Sequence, residues 1–198
     1  MRKDAELNRE RLVTAAREVF AERGLDVALD AVAKRAGVSI GTLYNRFPTR
    51  NDLVRAAFAD NVQTVARLGD HALGLADPWD GFVYFVEQVS QLQAADRGYN
   101  ELAGSSSAED LSRGYELMSR IVARAREGGV LRADFTLEDM AFVTWSITRT
   151  IEATAGTGTT VWRRHLALIL DGLRASAAHP LPVPPLSREQ LADIYRGC

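Results

Sequence analysis

Between positions 39 and 50 stand Ser39, Thr42, Tyr44, Asn45, Arg46, Thr49 and Arg50, each able to donate a hydrogen bond. Hydroxyl, amide and guanidinium donors gathered in one short stretch are what is needed to hold phosphate oxygens and read base edges. Ile40 lies among them, and so do Gly37 and Gly41, four residues apart. Each glycine weakens a helix by roughly 1 kcal/mol relative to alanine, so something other than helix stability favours them. From Lys34 to Arg55 the positive residues are Lys34, Arg35, Arg46, Arg50 and Arg55 against Asp52 alone, a local +4. The whole chain carries a formal −2. A basic face confined to one place suits a protein that meets phosphates there only. A solvated polar face is the plainer alternative.

Other chemistry is poorly supplied. His71, His165 and His179 are scattered, with no metal-ligand or triad spacing, and no phosphate loop, dinucleotide motif or nucleophile elbow is present. The sequence therefore calls for no cofactor and no metal, and an all-α enzyme is a remote alternative. Cys198 is the single cysteine and has no partner for an internal disulfide. The 198 residues fit one generous domain or two small ones. An apolar content of 46% with 25% charged residues excludes disordered and fibrous classes. Apolar runs fall short of the ~20 residues needed to cross a bilayer, and the polar start lacks a secretory h-region. The expected location is the cytoplasm.

The elements that must position these residues read as all-α. Leu12, Ala15, Ala16, Val19 and Phe20 mark one buried stripe of a helix over 6–23, closed by Gly24. A short helix over 29–36 ends at Gly37, and Ser39 caps the next, which runs to Arg46 with Leu43 and Phe47 turned inward. Thr49 caps a fourth helix that the stripe Val54, Phe58, Val62 and Val65 carries to about Leu73. Two short helices around a glycine turn, braced by longer ones, form a helix-turn-helix. Beyond Gly74, Asp77-Pro78-Trp79-Asp80 starts a broadly apolar helix. Residues 97–109 read as loop with at most a short helix. Ser107 with Asp110, and Thr136 with Asp139, cap two further helices, the second over 137–155. A last long helix spans about 160–177, PLPVPP cannot be helical, and 187–195 forms a short helix with no assigned docking.

The run LDAVAKRAGVSIGTLYNRFPTRNDLV, residues 29–54, resembles the TetR family of bacterial transcriptional regulators. The shared pattern is Val32-Ala33, Ala36-Gly37-Val38-Ser39, Gly41-Thr42-Leu43-Tyr44, Phe47, Arg50 and Asp52-Leu53, and with helix 1 it covers about 7–65. GGVLRADFTLEDMAF is similar to an SbtR-like C-terminal subgroup. The resemblance implies a helix-turn-helix domain over 6–65, a helical ligand-binding and dimerisation domain over 66–178, and a proline-rich tail over 179–198, joined through a long fourth helix. It makes Ser39–Arg46 the recognition helix, with Ile40 and Gly41 at base edges, Asn45 at a base edge or a phosphate, Thr42, Tyr44 and Arg50 at phosphates, and Ser39, Arg46 and Thr49 within the DNA-binding set. Ala28 stands where a capping threonine is common, so one phosphate contact is expected to be missing.

In the C-terminal part, Phe142, Trp145, Trp162, Leu166, Ile169 and Leu173 give two helices more apolar surface than one side can cover. A homodimer through those helices is the expectation, and the resemblance agrees. Two-fold symmetry would set the recognition helices about 34–36 Å apart on a palindromic DNA operator. Phe82, Phe85, Val86, Val89, Tyr115, Met118 and Trp145 could be plain core or the wall of an effector cavity; the resemblance favours the cavity. Arg149 is its expected polar anchor, with Glu152 as the ordinary salt-bridge partner. A repressor released by a small molecule is the reading that results. A helix-turn-helix dimer that senses without binding DNA is the alternative.

Overall fold

Leu12, Ala15, Ala16, Val19 and Phe20 all lie buried along one side of α1 (Arg2–Arg23) in the computed structural model, which describes residues 2–105, 112–158 and 160–197. Against that stripe pack α2 (Leu29–Ala36) and α4 (Arg50–Ala57), while α3 (Ile40–Arg46) crosses over α2. Gly37 ends α2 at φ 69°, a left-handed conformation that favours glycine. The amide of Val38 reaches back to Ala33 O and that of Gly37 to Lys34 O, closing the last turn as a Schellman motif. α3 is rooted by Leu43 and Phe47, both buried in the shared core.

The remaining helices are α5 (Ala59–Gly74), α6 (Pro78–Ala95), α7 (Arg97–Ser105), α8 (Ser112–Glu127), α9 (Asp139–Thr154), α10 (Val161–Leu173) and α11 (Arg188–Gly197). α5, α6 and α8 pack together, α7 lies between α1 and α9, and α10 runs beside α9. No strand occurs among the described residues; one antiparallel bridge joins Leu131 to Arg174. α6 starts as its sequence requires, with the Asp77 carboxylate accepting from the amides of Trp79 and Asp80. Arg124 of α8 donates to the carbonyls of Ala72, Leu73, Leu75 and Ala76, so its guanidinium satisfies the end of α5.

Four expectations need correction. The fourth helix is not continuous: Phe58 leaves helical geometry at φ −103°, ψ 13°, which separates α4 from α5. Its ring sits between Phe20 and Tyr99, with centroids 6.2 and 6.1 Å away. An unbroken apolar stripe carries no sign of a one-residue bend. Within 97–109, where loop with at most a short helix is expected, residues 97–105 form a nine-residue helix, because Gly98 lets α7 lie directly on α1. A Cβ there would come within 2.9 Å of Phe20 Cβ and Phe58 Cζ. The last long helix stops at Leu173, where Arg174 turns extended and joins the bridge. α1 begins at Arg2, before the expected start. The proposed Ser107–Asp110 cap lies outside the described residues.

Candidate nucleic-acid interface and ligand cavity

With Leu43 buried, α3 turns Ile40, Gly41, Tyr44, Asn45 and Arg46 to solvent, and Tyr44 is half exposed at 50%. Ser39 caps this helix by accepting from the Thr42 amide at 3.1 Å. The Ser39 and Thr42 hydroxyl oxygens are 2.9 Å apart. Only one of their two protons lies between them, so the other is available to an outside acceptor. A Cβ built on Gly41 would meet only Ser39 Oγ, at 3.8 Å. The fold itself has room for a side chain there.

Other expected contacts are engaged within the chain. Arg50 Nη1 donates to Leu25 O at 2.6 Å and Val27 O at 2.9 Å, so its guanidinium braces the α1–α2 turn instead of facing outward. Thr49 and Asp52 form a capping box: the Thr49 hydroxyl donates to Asp52 Oδ2 at 2.7 Å and accepts from the Asp52 amide. Its proton is thereby spent inside the helix start. The Thr49 hydroxyl, and then its backbone amide, hold the Asp52 carboxyl below its ordinary range. Arg35 is paired with Glu18 and Glu22 at 2.9 and 2.8 Å. The local positive charge is therefore smaller than the sequence count. Of Lys34, Arg35 and Arg46, only Arg35 has a carboxylate within ion-pair distance among the described residues. As expected, Ala28 provides no side-chain cap for α2.

The second feature is a cavity of about 170 Å³ between α5, α6, α7, α8 and α9. Phe85, Val89, Tyr115 and Met118, all cavity candidates from the sequence, line it, and Tyr99 joins them. Phe82 and Val86 do not: Phe82 is buried against Trp79 and Phe135, and both belong to the closed core. Trp145 packs edge-on between Phe142 and Tyr195, outside the wall, at centroid distances of 5.3 and 5.4 Å. Arg149 is likewise outside, with 80% of its side chain exposed and a 3.2 Å bond to Glu152. On α9 an arginine at the solvent edge and one in the cavity share the same helical periodicity, which left the sequence ambiguous.

The polar wall residues are Gln93, Tyr99, Tyr115, Thr144 and Tyr195, and no charged side chain contributes to it among the described residues. Gln93 escapes sequence reading because a glutamine near the end of a helix looks solvated. It is only 3% exposed. Burial, with the Asp96 charge adding to it, pushes the Tyr99 phenol up to about 12, so that group is neutral at physiological pH. Leu191 and Tyr195 of α11 complete the wall.

On the expected dimer face, Trp162 and Leu166 are buried by the chain's own core, and Ile169 and Leu173 are half-buried. The stripe they form points inward. Solvent meets Val161, Leu168 and Phe142 instead, with Leu168 exposed by 62%.

Residues 12–57 match the family described as bacterial regulatory proteins, tetR family, and residues 77–175 match the SbtR-like transcriptional regulator C-terminal domain. An HTH-type transcriptional regulator of Staphylococcus aureus (strain USA300) is 41% identical over 54 residues, 27% of this chain and 29% of that protein. The match thus spans less than a third of the relative's length. A TetR regulator from Mycobacterium vanbaalenii is structurally similar at TM-score 0.51 and 28% identity, covering 87% of this chain and 98% of that one. FadR from Bacillus subtilis, solved in complex with stearoyl-CoA, shares the fold at TM-score 0.64 and 18% identity, covering 86% and 99%.

Proposed function

The chain belongs to the TetR family of DNA-binding transcriptional regulators, and from that premise we propose that it is a repressor, holding a palindromic operator as a homodimer until a small molecule enters its cavity. The exposed face of α3 carries this reading: Ile40, Gly41, Tyr44 and Asn45 are presented outward by a helix that Leu43 and Phe47 root in the core. Ile40 suits a thymine methyl, Asn45 a base edge, and Tyr44 with the Ser39–Thr42 hydroxyl pair suits phosphate oxygens. The exposed Phe142, Val161 and Leu168 on α9 and α10 supply an apolar surface for a second copy. The cavity supports effector binding, as does a fold neighbour solved with stearoyl-CoA. Occupancy would favour a protomer arrangement in which the two α3 helices no longer match successive grooves.

The test is fluorescence anisotropy with DNA from upstream of the gene and its neighbours, at two salt concentrations. Selective binding that weakens steeply with salt, with a two-fold symmetric footprint, is the expected result. A folded dimer that selects no sequence from a random pool at low salt would instead be a sensor without DNA binding.

A further inference from the structure

Gln93 is a buried amide that makes no side-chain hydrogen bond among the described residues, and it forms part of the cavity wall. The sealed side-chain polar atoms without a partner among the described residues are Asn100 Oδ1 and Thr148 Oγ1, so the Gln93 amide instead opens into the cavity, where a ligand atom can take the place of solvent on it. The space beside it is small. An apolar cavity of ~150 Å³ holds one benzene ring, and this one measures about 170 Å³. A carboxylate or ammonium would enter a wall of Phe85, Val89, Met118 and Met140 with no countercharge, which disfavours the ionised form strongly.

The outer side of the cavity is lined by the C-terminal helix. Arg132 donates to Gly172 O and His179 O and pairs with Asp134, fixing the chain just after α10. From Pro180 to Pro185 the strap is exposed throughout. α11 then starts in its own capping box, Ser187 with Gln190. It returns to the body through side chains: Arg188 over the Tyr115 ring at 5.9 Å, Tyr195 against Trp145, and Leu191 and Tyr195 in the cavity wall.

The geometry points to a lidded site for a small uncharged molecule of about one ring, whose polar group hydrogen-bonds Gln93 and whose outer face is covered by Leu191 and Tyr195 of the C-terminal helix. This rests on the effector reading of the cavity. It adds the ligand class and the segment that closes over it. Because ligand and α11 share a surface, each strengthens the docking of the other.

The experiment uses the full chain without DNA, so its outcome is independent of operator binding. Phenol, toluene and benzoate are titrated calorimetrically and by thermal melting. Phenol and toluene should bind and raise the melting temperature by roughly 3–5 °C at ten times the dissociation constant, whereas benzoate should not. Gln93→Leu should weaken phenol roughly five- to tenfold while leaving toluene bound at least as well. Leu191→Ala with Tyr195→Ala, or a chain ending at Leu186, should weaken both neutral rings and speed their release. Three results would each overturn the proposal: no binding of either neutral ring at millimolar concentration, benzoate binding as well as phenol, or phenol affinity unchanged in both the Gln93 and the α11 variants. If operator binding fails while phenol binds as described, the regulator reading falls and the site stands.

Discussion

A methyl group placed on Gly41 would touch only the Ser39 hydroxyl oxygen, at an ordinary contact distance, so the fold makes no demand for glycine there. Gly41→Ala should therefore leave the chain folded and, through helix propensity, up to about 1 kcal/mol more stable. If a groove surface comes against α3 at that point, operator affinity should drop about tenfold or more, measured by anisotropy beside a thermal melt. An unchanged operator affinity would place the DNA elsewhere. Arg50 has the opposite character. Its guanidinium holds the carbonyls of Leu25 and Val27, and Arg50→Ala should cost about 1–3 kcal/mol by leaving those acceptors unmet. The salt slope of DNA binding should stay as it was; a slope reduced by about one would put Arg50 on a phosphate instead. The sequence could not distinguish these two arginine roles, because the partners lie 23 and 25 positions away.

At the scale of elements, what is local in sequence was legible and what is long-range was not. The caps at Ser39, Thr49 and Asp77 depend on residues two or three positions on, and each is found in place. Thr136 and Asp139 also bond as read, but they close a turn that precedes α9 instead of its first residue. The bend at Phe58 and the helix over 97–105 follow from aromatic packing against α1, which no single-segment pattern contains. The capping box at α4 gives a pH dependence. Asp52 has a depressed carboxyl pKa in the folded chain, so its contribution is complete above the unfolded value of ~4. It is lost as the pH falls through the lower folded value. The difference in melting temperature between the native chain and Asp52→Asn should accordingly narrow when the pH is lowered from about 7 to about 3. A gap that widens on acidification would show the carboxylate to be destabilising.

For the molecule as a whole, the exposed face of α10 separates folding from association. Leu168 is open to solvent while Leu166, two residues earlier, is buried. Leu168→Glu should keep the native far-UV spectrum yet sediment as a monomer and bind the operator weakly, since one recognition helix lacks its two-fold mate. Leu166→Glu places a charge in the core and should not fold. A dimeric, fully active Leu168→Glu would move the subunit contact off this face. The sequence identified these two helices as too apolar to stand alone. It assigned the contact to the Trp162, Leu166, Ile169 and Leu173 stripe because that is the longest apolar row on α10, and only packing against α9 and α6 shows that this row faces inward.

Leu25 is gripped through both of its backbone polar groups: its N–H donates to Glu101 of α7 at 2.6 Å and its C=O accepts from Arg50 of α4. That arrangement matters to anyone who would build a biosensor by grafting. A chimaera joining residues 1–57 to the effector half of another receptor would keep Arg50 and lose Glu101, so the turn that sets the pose of α2 would be held from one side only. Such a hybrid should read its operator poorly even with every DNA-facing residue intact, and restoring a carboxylate opposite Leu25 is the repair to try before redesigning the recognition helix.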